Sequence, residues 1–234
     1  MRSKSLVLAR MLVIGLAVYA SQATAQGKIE KCGPITSPGS YVLTKNLKAF
    51  GDCLKVEADF VTIDLNGFLI EAISARGSSP GLGIFDVRFT GIDVPRDGVT
   101  VRNGTIKGFL GGISLFGQFA RIEGVRVLDS RQEGISVRGF SIVRDNIVAR
   151  SGSAGISASA GGVVVGNVAT GNGHAGIAVS LASTVVNNTS TENEVDGISG
   201  LCPGVVLGNT AVGNATDIAL VGDDCTTVHN SPPP

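Results

Sequence analysis

The chain is poor in the residue types on which most metal and cofactor sites depend. It has no tryptophan, two methionines, two histidines and four cysteines among 234 residues. Met1 and Met11 lie near the amino terminus, and the histidines are His174 and His229. Copper sites favour Met, His and free Cys ligands, and zinc sites need closer Cys or His spacings than this chain offers. The sequence therefore predicts neither a metal nor a cofactor.

Charged residues are also scarce, and the two signs are balanced. They make up 16% of the chain, with 19 Lys and Arg against 19 Asp and Glu. The chain has no cluster of Lys and Arg of the kind that neutralises phosphates. This charge pattern disfavours nucleic acid as a partner.

Long apolar runs are missing except for MLVIGLAVYA, which follows Arg2, Lys4 and Arg10. A run of about ten residues is too short to span a bilayer, and Ala23-Thr24-Ala25 has the small residues of a signal-peptide cleavage site. We interpret residues 1–25 as a signal peptide, which leaves a mature net charge of about −3. The sequence predicts a secreted or periplasmic protein without a membrane span.

The four cysteines lie two near each end of the chain. In an oxidising compartment they are expected to form disulfides, and three pairings are possible. The pairings Cys32–Cys53 and Cys202–Cys225 are favoured because each closes a short local loop.

Three glycines have the spacing of a nucleotide-binding loop. Gly171, Gly173 and Gly176 match G-x-G-x-x-G, and Asp196 lies 20 residues beyond the last of them. That fingerprint requires a helix to begin at the glycines. The sequence that follows, IAVSLASTVVNN, is rich in β-branched residues and lacks helical periodicity. Nucleotide binding is therefore not expected, and the glycines need another explanation.

A repeat of about 21 residues provides that explanation. Three sets of residues recur at this interval: Asn146, Asn167, Asn188, Asn209 and Asn230; Ile113, Ile135, Ile156, Ile177, Ile198 and Ile218; and Ser151, Asn172, Asn193 and Asn214. Asn103 and Gly124 extend the first set upstream if the register slips by one residue at Asp145-Asn146. The glycines then belong to a recurrent turn.

Short β-branched segments such as VVV, TVV and GVV separate the turn residues, which is typical of a solenoid of strands. Gly and Asn suit its turns because they tolerate positive φ. Equivalent residues on stacked coils lie about 4.8 Å apart, so the asparagines of the first set should form a hydrogen-bonded ladder. Parallel crossovers are nearly always right-handed. The sequence thus predicts an all-β fold, a single-stranded right-handed parallel β-helix of about seven coils with a 21-residue period.

Several stretches resemble a known family. The segments PITSPGSYVLTKNL and VTIDLNGFLI and the repeated N-x9-I coils resemble right-handed parallel β-helix proteins of the pectin lyase-like superfamily, especially those with NosD-type repeats. The resemblance covers roughly residues 32–230 and implies the fold more than the function. The superfamily includes polysaccharide lyases, pectin hydrolases, uronan epimerases and copper accessory proteins. This chain lacks the Asp-Pro-His stretch expected of the epimerases and the clustered aspartates of the pectin hydrolases.

The expected organisation has four parts: a signal peptide at 1–25, an N-terminal cap at 26–60, the β-helix at 61–230 and a disordered tail at 231–234. The stretch from Glu71 to Gly98 breaks the period and predicts an excursion from the solenoid. Excursions of this length often contain functional residues.

One set of residues suggests catalysis. Arg150, His174 and Asp196 fall on three successive coils near the same turn. With His174 as base, Asp196 orienting it and Arg150 neutralising a substrate carboxylate, they would suit β-elimination from a uronate. Ordinary solvated turn residues are the alternative, because the equivalent positions include Ser153 and Val195.

A second set of charged residues predicts a mixed-charge patch, which would improve solubility or contact an acidic glycan. It comprises Arg121, Arg126, Arg131, Arg138, Arg144, Glu123, Asp129 and Glu133. The fold resemblance favours an exported β-helix that binds extracellular or cell-envelope polysaccharide with no or weak catalysis. A polysaccharide lyase and a purely structural envelope protein are the alternatives, and the oligomeric state is not predicted.

Overall fold

The computed structural model describes residues 26–73, 79–86 and 94–231. The predicted signal peptide, residues 232–234 of the predicted tail and parts of the predicted excursion lie outside these ranges. Every regular element within them is a β-strand, and every strand pairing is parallel. Because this part of the chain contains no helix, it contains no helix that could cross a membrane.

The strands stack on three faces of a solenoid, and one coil contributes a strand to each face. Face one contains β1 (Gly27–Ile29), β3 (Gly39–Leu43), β6 (Val61–Asp64), β9 (Thr100–Lys107), β11 (Arg121–Leu128), β13 (Ile142–Arg144), β16 (Val163–Val165), β19 (Thr184–Val186), β22 (Gly204–Leu207) and β25 (Cys225–Val228).

Face two follows the face-one strands from β3 to β22 after a short corner. It contains the carboxyl-terminal halves of β9 and β11 together with β4 (Leu47–Ala49), β7 (Leu69–Ala72), β14 (Ile147–Ala149), β17 (Val168–Thr170), β20 (Thr189–Thr191) and β23 (Thr210–Val212). Because β9 and β11 run through the corner without a break, faces one and two form a single 16-stranded sheet.

Face three is a separate nine-stranded sheet. It contains β2 (Gly33–Ile35), β5 (Leu54–Val56), β8 (Ile84–Phe85), β10 (Ile113–Leu115), β12 (Ile135–Val137), β15 (Ile156–Ala158), β18 (Ile177–Val179), β21 (Asp196–Leu201) and β24 (Thr216–Val221).

The all-β parallel solenoid predicted from the sequence is confirmed, but the number of coils is about nine rather than seven. The difference arises near the amino terminus. There β1 pairs with β3, and β2 pairs with β5, in the same sheets as all later coils. In addition β8, within the stretch predicted as an excursion, pairs with both β5 and β10 and completes a coil.

The core forms because alternate residues of each strand point inward. On face one these are β-branched residues such as Val164 and Val185, and on face three they include Ile156 and Ile177, all with no exposed surface. The 21-residue pairing places each of these side chains directly against its equivalent on the next coil. Stacked columns of mainly aliphatic residues therefore fill the solenoid.

The asparagines of the first set form the expected ladder at the corner between faces one and two. Asn167 Oδ1 accepts hydrogen bonds from the backbone N and the Nδ2 of Asn146, at 3.0 Å each. Asn167 Nδ2 donates in turn to Asn188 Oδ1 at 3.0 Å and to the carbonyl oxygen of Val143 at 2.9 Å. A second ladder, from Ser151 through Asn172, Asn193 and Asn214, lies at the corner between faces two and three.

The register slip inferred from the sequence is wrong. Asn103 and Gly124 precede the ladder position and share a column of left-handed residues with Asp145 and Gly166, with φ between 56° and 67°. Arg121 pairs with Ile142 and Arg126 pairs with Ile147, so no residue is inserted between these coils. The ladder position of the coil at 121–128 is Val125, whose backbone N donates to Asn146 Oδ1. Asparagine occupies the left-handed position in one coil, as Asn103, and the ladder position in another, as Asn146. Aligning these two asparagines as equivalent suggests a slip that the structure does not contain.

Disulfides lie at both ends of the solenoid. Cys32 is bonded to Cys53 and Cys202 to Cys225, which are the pairings favoured from the sequence. Each joins adjacent coils, with Cα atoms 4.4 Å and 5.0 Å apart.

Candidate functional site

Of the three residues suggested for catalysis, Arg150 and His174 lie in loops between faces two and three, whereas Asp196 is the first residue of β21 on face three. Arg150 occupies a left-handed position with φ of 56°, and its Nε donates to Asp129 Oδ1 on the preceding coil at 2.6 Å. This hydrogen bond raises the pKa of the Arg150 guanidinium above its ordinary value. His174 is exposed and Asp196 is half-buried. Within the described residues their side chains share no hydrogen bond, so their joint action stays a prediction.

The predicted mixed-charge patch does not form one surface. Glu123 lies on face one between Arg144 and Arg121, 2.7 Å and 3.6 Å away. The hydrogen bond from Arg144 lowers the pKa of Glu123 below its ordinary value. Arg126 lies on face two, and Arg138 lies on the turn that follows β12 on face three. The faces of the solenoid separate residues that are close in sequence.

A column of exposed phenylalanines lies on the turns between face three and face one. Phe60 is 70% exposed, and Phe119 and Phe140 are each 59% exposed. The rings of Phe119 and Phe140 stack with centroids 5.8 Å apart. Phe60 lies against Gly98 and Phe140 against Gly161, because a Cβ on either glycine would meet the neighbouring ring within 2.8 Å. We call Phe60, Phe119 and Phe140 the aromatic column.

Each residue of the aromatic column has a strained backbone. Their φ angles lie between 55° and 59°, a region that bulky residues rarely enter. The left-handed conformation costs an L-residue about 1 to 2 kcal/mol relative to right-handed backbone. Gly161 occupies the same turn position one coil later and avoids that cost. Phenylalanine here is therefore unfavourable for the turn itself, and its exposed ring gains little from burial. Such a combination is typical of a functional position.

A groove of about 580 Å³ lies beside the aromatic column. Its lining residues are Pro95, Phe116, Gln118, Arg138, Gly139, Phe140, Ser159 and Ala160. The Cζ atom of Arg138 lies 5.0 Å from the centroid of the Phe116 ring, a cation–π contact. Arg138 is the charged residue of this lining, and within the described residues it forms no ion pair. The groove thus combines apolar surface, a guanidinium, an amide and a hydroxyl group.

A buried carboxylate anchors the turn that forms one wall of the groove. Asp86 is 1% exposed and accepts hydrogen bonds from the backbone N of Phe116 at 2.9 Å, of Gly117 at 2.8 Å and of Arg96 at 3.0 Å. The backbone of Arg96 packs so closely on Gly117 that a Cβ would not fit there. Asp86 therefore ties the turn at 116–118 to the backbone of Arg96.

Sequence reasoning missed the aromatic column, although a signal was present. Phe119 and Phe140 are 21 residues apart, and Gly98 and Gly161 continue the same interval on both sides. The chain has only nine phenylalanines, so two in one register position are informative. Their spacing alone does not show that the rings are exposed, because phenylalanine is most often buried.

Comparison with known proteins agrees with the architecture. The family described as "Right handed beta helix region" matches residues 84–231, more than half of the chain. The chain therefore belongs to the right-handed β-helix family, which also establishes the predicted handedness.

Two solved structures are similar to this chain at low sequence identity. One is the enzymatically active domain of tailspike protein 2 of bacteriophage CBA120, with a TM-score of 0.58 and 13% identity over 84% of this chain. This chain spans 35% of that domain. The other is the periplasmic alginate epimerase AlgG, with a TM-score of 0.40 and 12% identity over 84% of this chain and 63% of that one. No curated protein sequence matches the chain. At 13% identity the likeness to the tailspike domain concerns the fold alone.

Proposed function

We propose that this protein is an exported β-helix that binds an acidic polysaccharide along the aromatic column and the adjoining groove. The observation that carries the proposal is the exposure of three phenylalanines at positions where the backbone is strained. Natural sequences tolerate such strain mainly where the residue has a use other than stability. Exposed apolar surface beside polar groups is a common form of binding site.

The chemistry of the groove suits a sugar polymer with carboxylate or sulfate groups. The C–H-bearing faces of pyranose rings are apolar and pack against aromatic side chains, whose area is large and rigid. Arg138, held over Phe116, presents N–H donors in a fixed plane for an anionic substituent. Gln118 and Ser159 add neutral donors and acceptors for hydroxyl groups.

The direction of the site also suits a linear polymer. The aromatic column follows the axis of the solenoid and crosses from coil to coil, at about 4.8 Å for each coil. Next to it, face three presents small outward side chains. On four successive coils, the paired outward residues are Ser136, Ser157, Ala178 and Ser199. A chain lying along the axis would therefore meet aromatic rings on one side without large side chains obstructing the other. The two disulfides support the exported location.

The test compares variants of the groove with matched exposed residues elsewhere. Binding to polygalacturonate and alginate, with neutral dextran as reference, would be measured by affinity electrophoresis and calorimetry. Phe140→Gly and Arg138→Ala should each weaken binding roughly tenfold, as expected for central contacts. The controls Phe50→Ala and Arg126→Ala remove an exposed phenylalanine and an arginine outside the groove and should bind as wild type does.

Phe140→Gly also separates binding from stability. Gly161 shows that glycine fits this turn, and the substitution removes the strain at φ of 58°. The unfolding free energy should then stay within about 1 kcal/mol of wild type while binding falls. If wild type binds neither acidic polymer, or if Phe140→Gly and Arg138→Ala both bind normally, the proposal is wrong.

A further inference from the structure

The residues that immediately precede the aromatic column in the chain form a column of their own. The backbone N of Phe60 donates to the carbonyl oxygen of Asp97 at 2.8 Å, and the backbone N of Gly98 donates to that of Gln118 at 2.9 Å. The same hydrogen bond recurs on the next two coils. We call the column the floor column, and in chain order it consists of Asp59, Asp97, Gln118, Gly139 and Ala160. Its last three residues line the groove, so the first two extend the floor of the groove toward the amino terminus.

The amino-terminal end of the floor column is acidic. Asp59 and Asp97 are both exposed. Asp59 Oδ1 accepts a hydrogen bond from the backbone N of Asp97 at 3.1 Å, and Asp97 Oδ1 accepts one from the backbone N of Gln118 at 2.7 Å. Within the described residues neither carboxylate forms an ion pair, and the neighbouring Arg96 lines a different hollow together with Asp86. The turns therefore hold two negative charges in line with the groove.

The positive charge of the groove lies at the opposite end of this line. Arg138 immediately precedes Gly139 of the floor column and contacts Phe116. Measured along the axis at about 4.8 Å for each coil, Arg138 lies about 10 Å from Asp97 and about 14 Å from Asp59. One guanidinium and two carboxylates thus follow one another along the path of a bound polymer.

A polymer that packs on the whole aromatic column passes both carboxylates. Phe60 follows Asp59 in the chain, and the Phe60 ring lies against Gly98, which follows Asp97. A sugar on the Phe60 ring is therefore next to both acidic side chains. An anionic sugar is repelled at this place, because like charges about 5 Å apart repel each other even in water. A neutral sugar is accepted, because carboxylate oxygens accept hydrogen bonds from its hydroxyl groups.

We infer that Asp59 and Asp97 restrict the site to polysaccharides whose acidic sugars are separated by several neutral ones, an inference that rests on the proposed glycan site. A sugar unit of a linear glycan is similar in length to the spacing between coils. A chain with an acidic unit at Arg138 then places its next unit at Gln118 and the two units after that at Asp97 and Asp59. Neutral units fit the last two places and acidic units do not. The site therefore favours a polymer with about one acidic sugar in four over a polyuronate, which is acidic at every unit.

The experiment compares two linear polymers by calorimetry: polygalacturonate, with a carboxylate on every sugar, and deacylated gellan in its sodium form, with a carboxylate on every fourth sugar. At low ionic strength, Asp97→Asn should raise the affinity for polygalacturonate about threefold, and Asp59→Asn combined with Asp97→Asn about tenfold. The affinity for gellan should stay within about twofold of wild type. The gain for polygalacturonate should shrink at about 0.15 M salt, which screens exposed charges.

Asp145→Asn is the matched control. Asp145 is exposed at the corner between faces one and two, and Asn187 occupies the equivalent left-handed position two coils later. The control therefore removes one negative charge away from the groove and should bind both polymers as wild type does. Thermal unfolding checks that each variant folds, and Asp59→Asn alone provides the test if Asp97→Asn does not.

The outcomes separate this inference from the proposed function. If wild type binds the polymers but the folded variants bind polygalacturonate no better, Asp59 and Asp97 do not select the glycan and the inference is wrong, while the glycan site stands. An equal gain for both polymers, or an equal gain in Asp145→Asn, would show a general effect of net charge and also overturn the inference. If wild type binds neither polymer, the proposed function fails and the inference fails with it.

Discussion

Removing one asparagine from the middle of the first ladder should destabilise the whole solenoid. Asn188 is 1% exposed, and its Oδ1 accepts from the backbone N and the Nδ2 of Asn167 at 2.9 Å and 3.0 Å. Its Nδ2 donates to the carbonyl oxygen of Val164 at 2.9 Å and to Asn209 Oδ1 at 3.0 Å. Asn188→Ala therefore removes four buried hydrogen bonds and leaves polar groups on the preceding and the following coil without these partners.

The magnitude follows from those four contacts. A buried hydrogen bond contributes about 1 kcal/mol net, and an abandoned buried partner costs its own desolvation. Water entering the small cavity recovers part of the loss. We expect Asn188→Ala to lower the free energy of unfolding by about 3 to 4 kcal/mol.

The assay is guanidinium unfolding followed by circular dichroism, with the slope m compared between proteins to check that the unfolding transition is the same. Asn187→Gly is the matched control, because Asn187 is exposed and its φ of 54° suits glycine. The control should stay within about 0.5 kcal/mol of wild type. A loss below about 1 kcal/mol for Asn188→Ala at unchanged m would refute the role of the ladder.

Two further predictions concern charged residues. The hydrogen bond from Arg144 lowers the pKa of Glu123 in the folded state below the ordinary 4.5, so ionised Glu123 stabilises the fold. This stabilisation is complete above pH 4.5 and is lost as the pH falls through the lower pKa of the folded state. Glu123→Gln should therefore melt below wild type at pH 7 and converge with it in acid, whereas a constant difference at every pH would contradict this cause. The lyase alternative predicts that His174→Ala abolishes the ultraviolet-absorbing product from polygalacturonate or alginate while the fold is retained. Absence of that product with wild type, or full activity of the variant, removes the catalytic reading of Arg150, His174 and Asp196.

The fold could be predicted from the sequence because the residues that determine it recur. Each coil needs inward aliphatics such as Ile156 and Ile177 and a corner asparagine such as Asn167, and both leave a 21-residue signal. The number of coils was harder to predict because the first coils lack that signal. Strands such as β2 and β5 pair through backbone hydrogen bonds, which do not require the asparagine ladder.

The candidate site could not be predicted from the same reasoning, because it depends on where side chains point. Arg121, Arg138 and Arg144 appear as one cluster in the sequence, yet the three faces direct Arg138 away from the other two. Asp86 pairs with a turn about 30 residues later, across a stretch that breaks the repeat. Only the coiling of the chain brings these groups to Phe116.

The repeat itself explains how one solenoid can combine a stable core with a surface that differs from coil to coil. Inward and corner positions pack and hydrogen-bond against their equivalents on the neighbouring coils, so they tolerate less change than outward positions. Outward and turn positions are free of that requirement, and the backbone there accepts Phe119, Gly161 or Ala182 at equivalent places with nearly the same φ. A residue that is costly for the turn, such as Phe140, therefore changes the surface without disturbing neighbouring coils. Function in this fold is consequently to be sought where a coil departs from the repeat at an outward position.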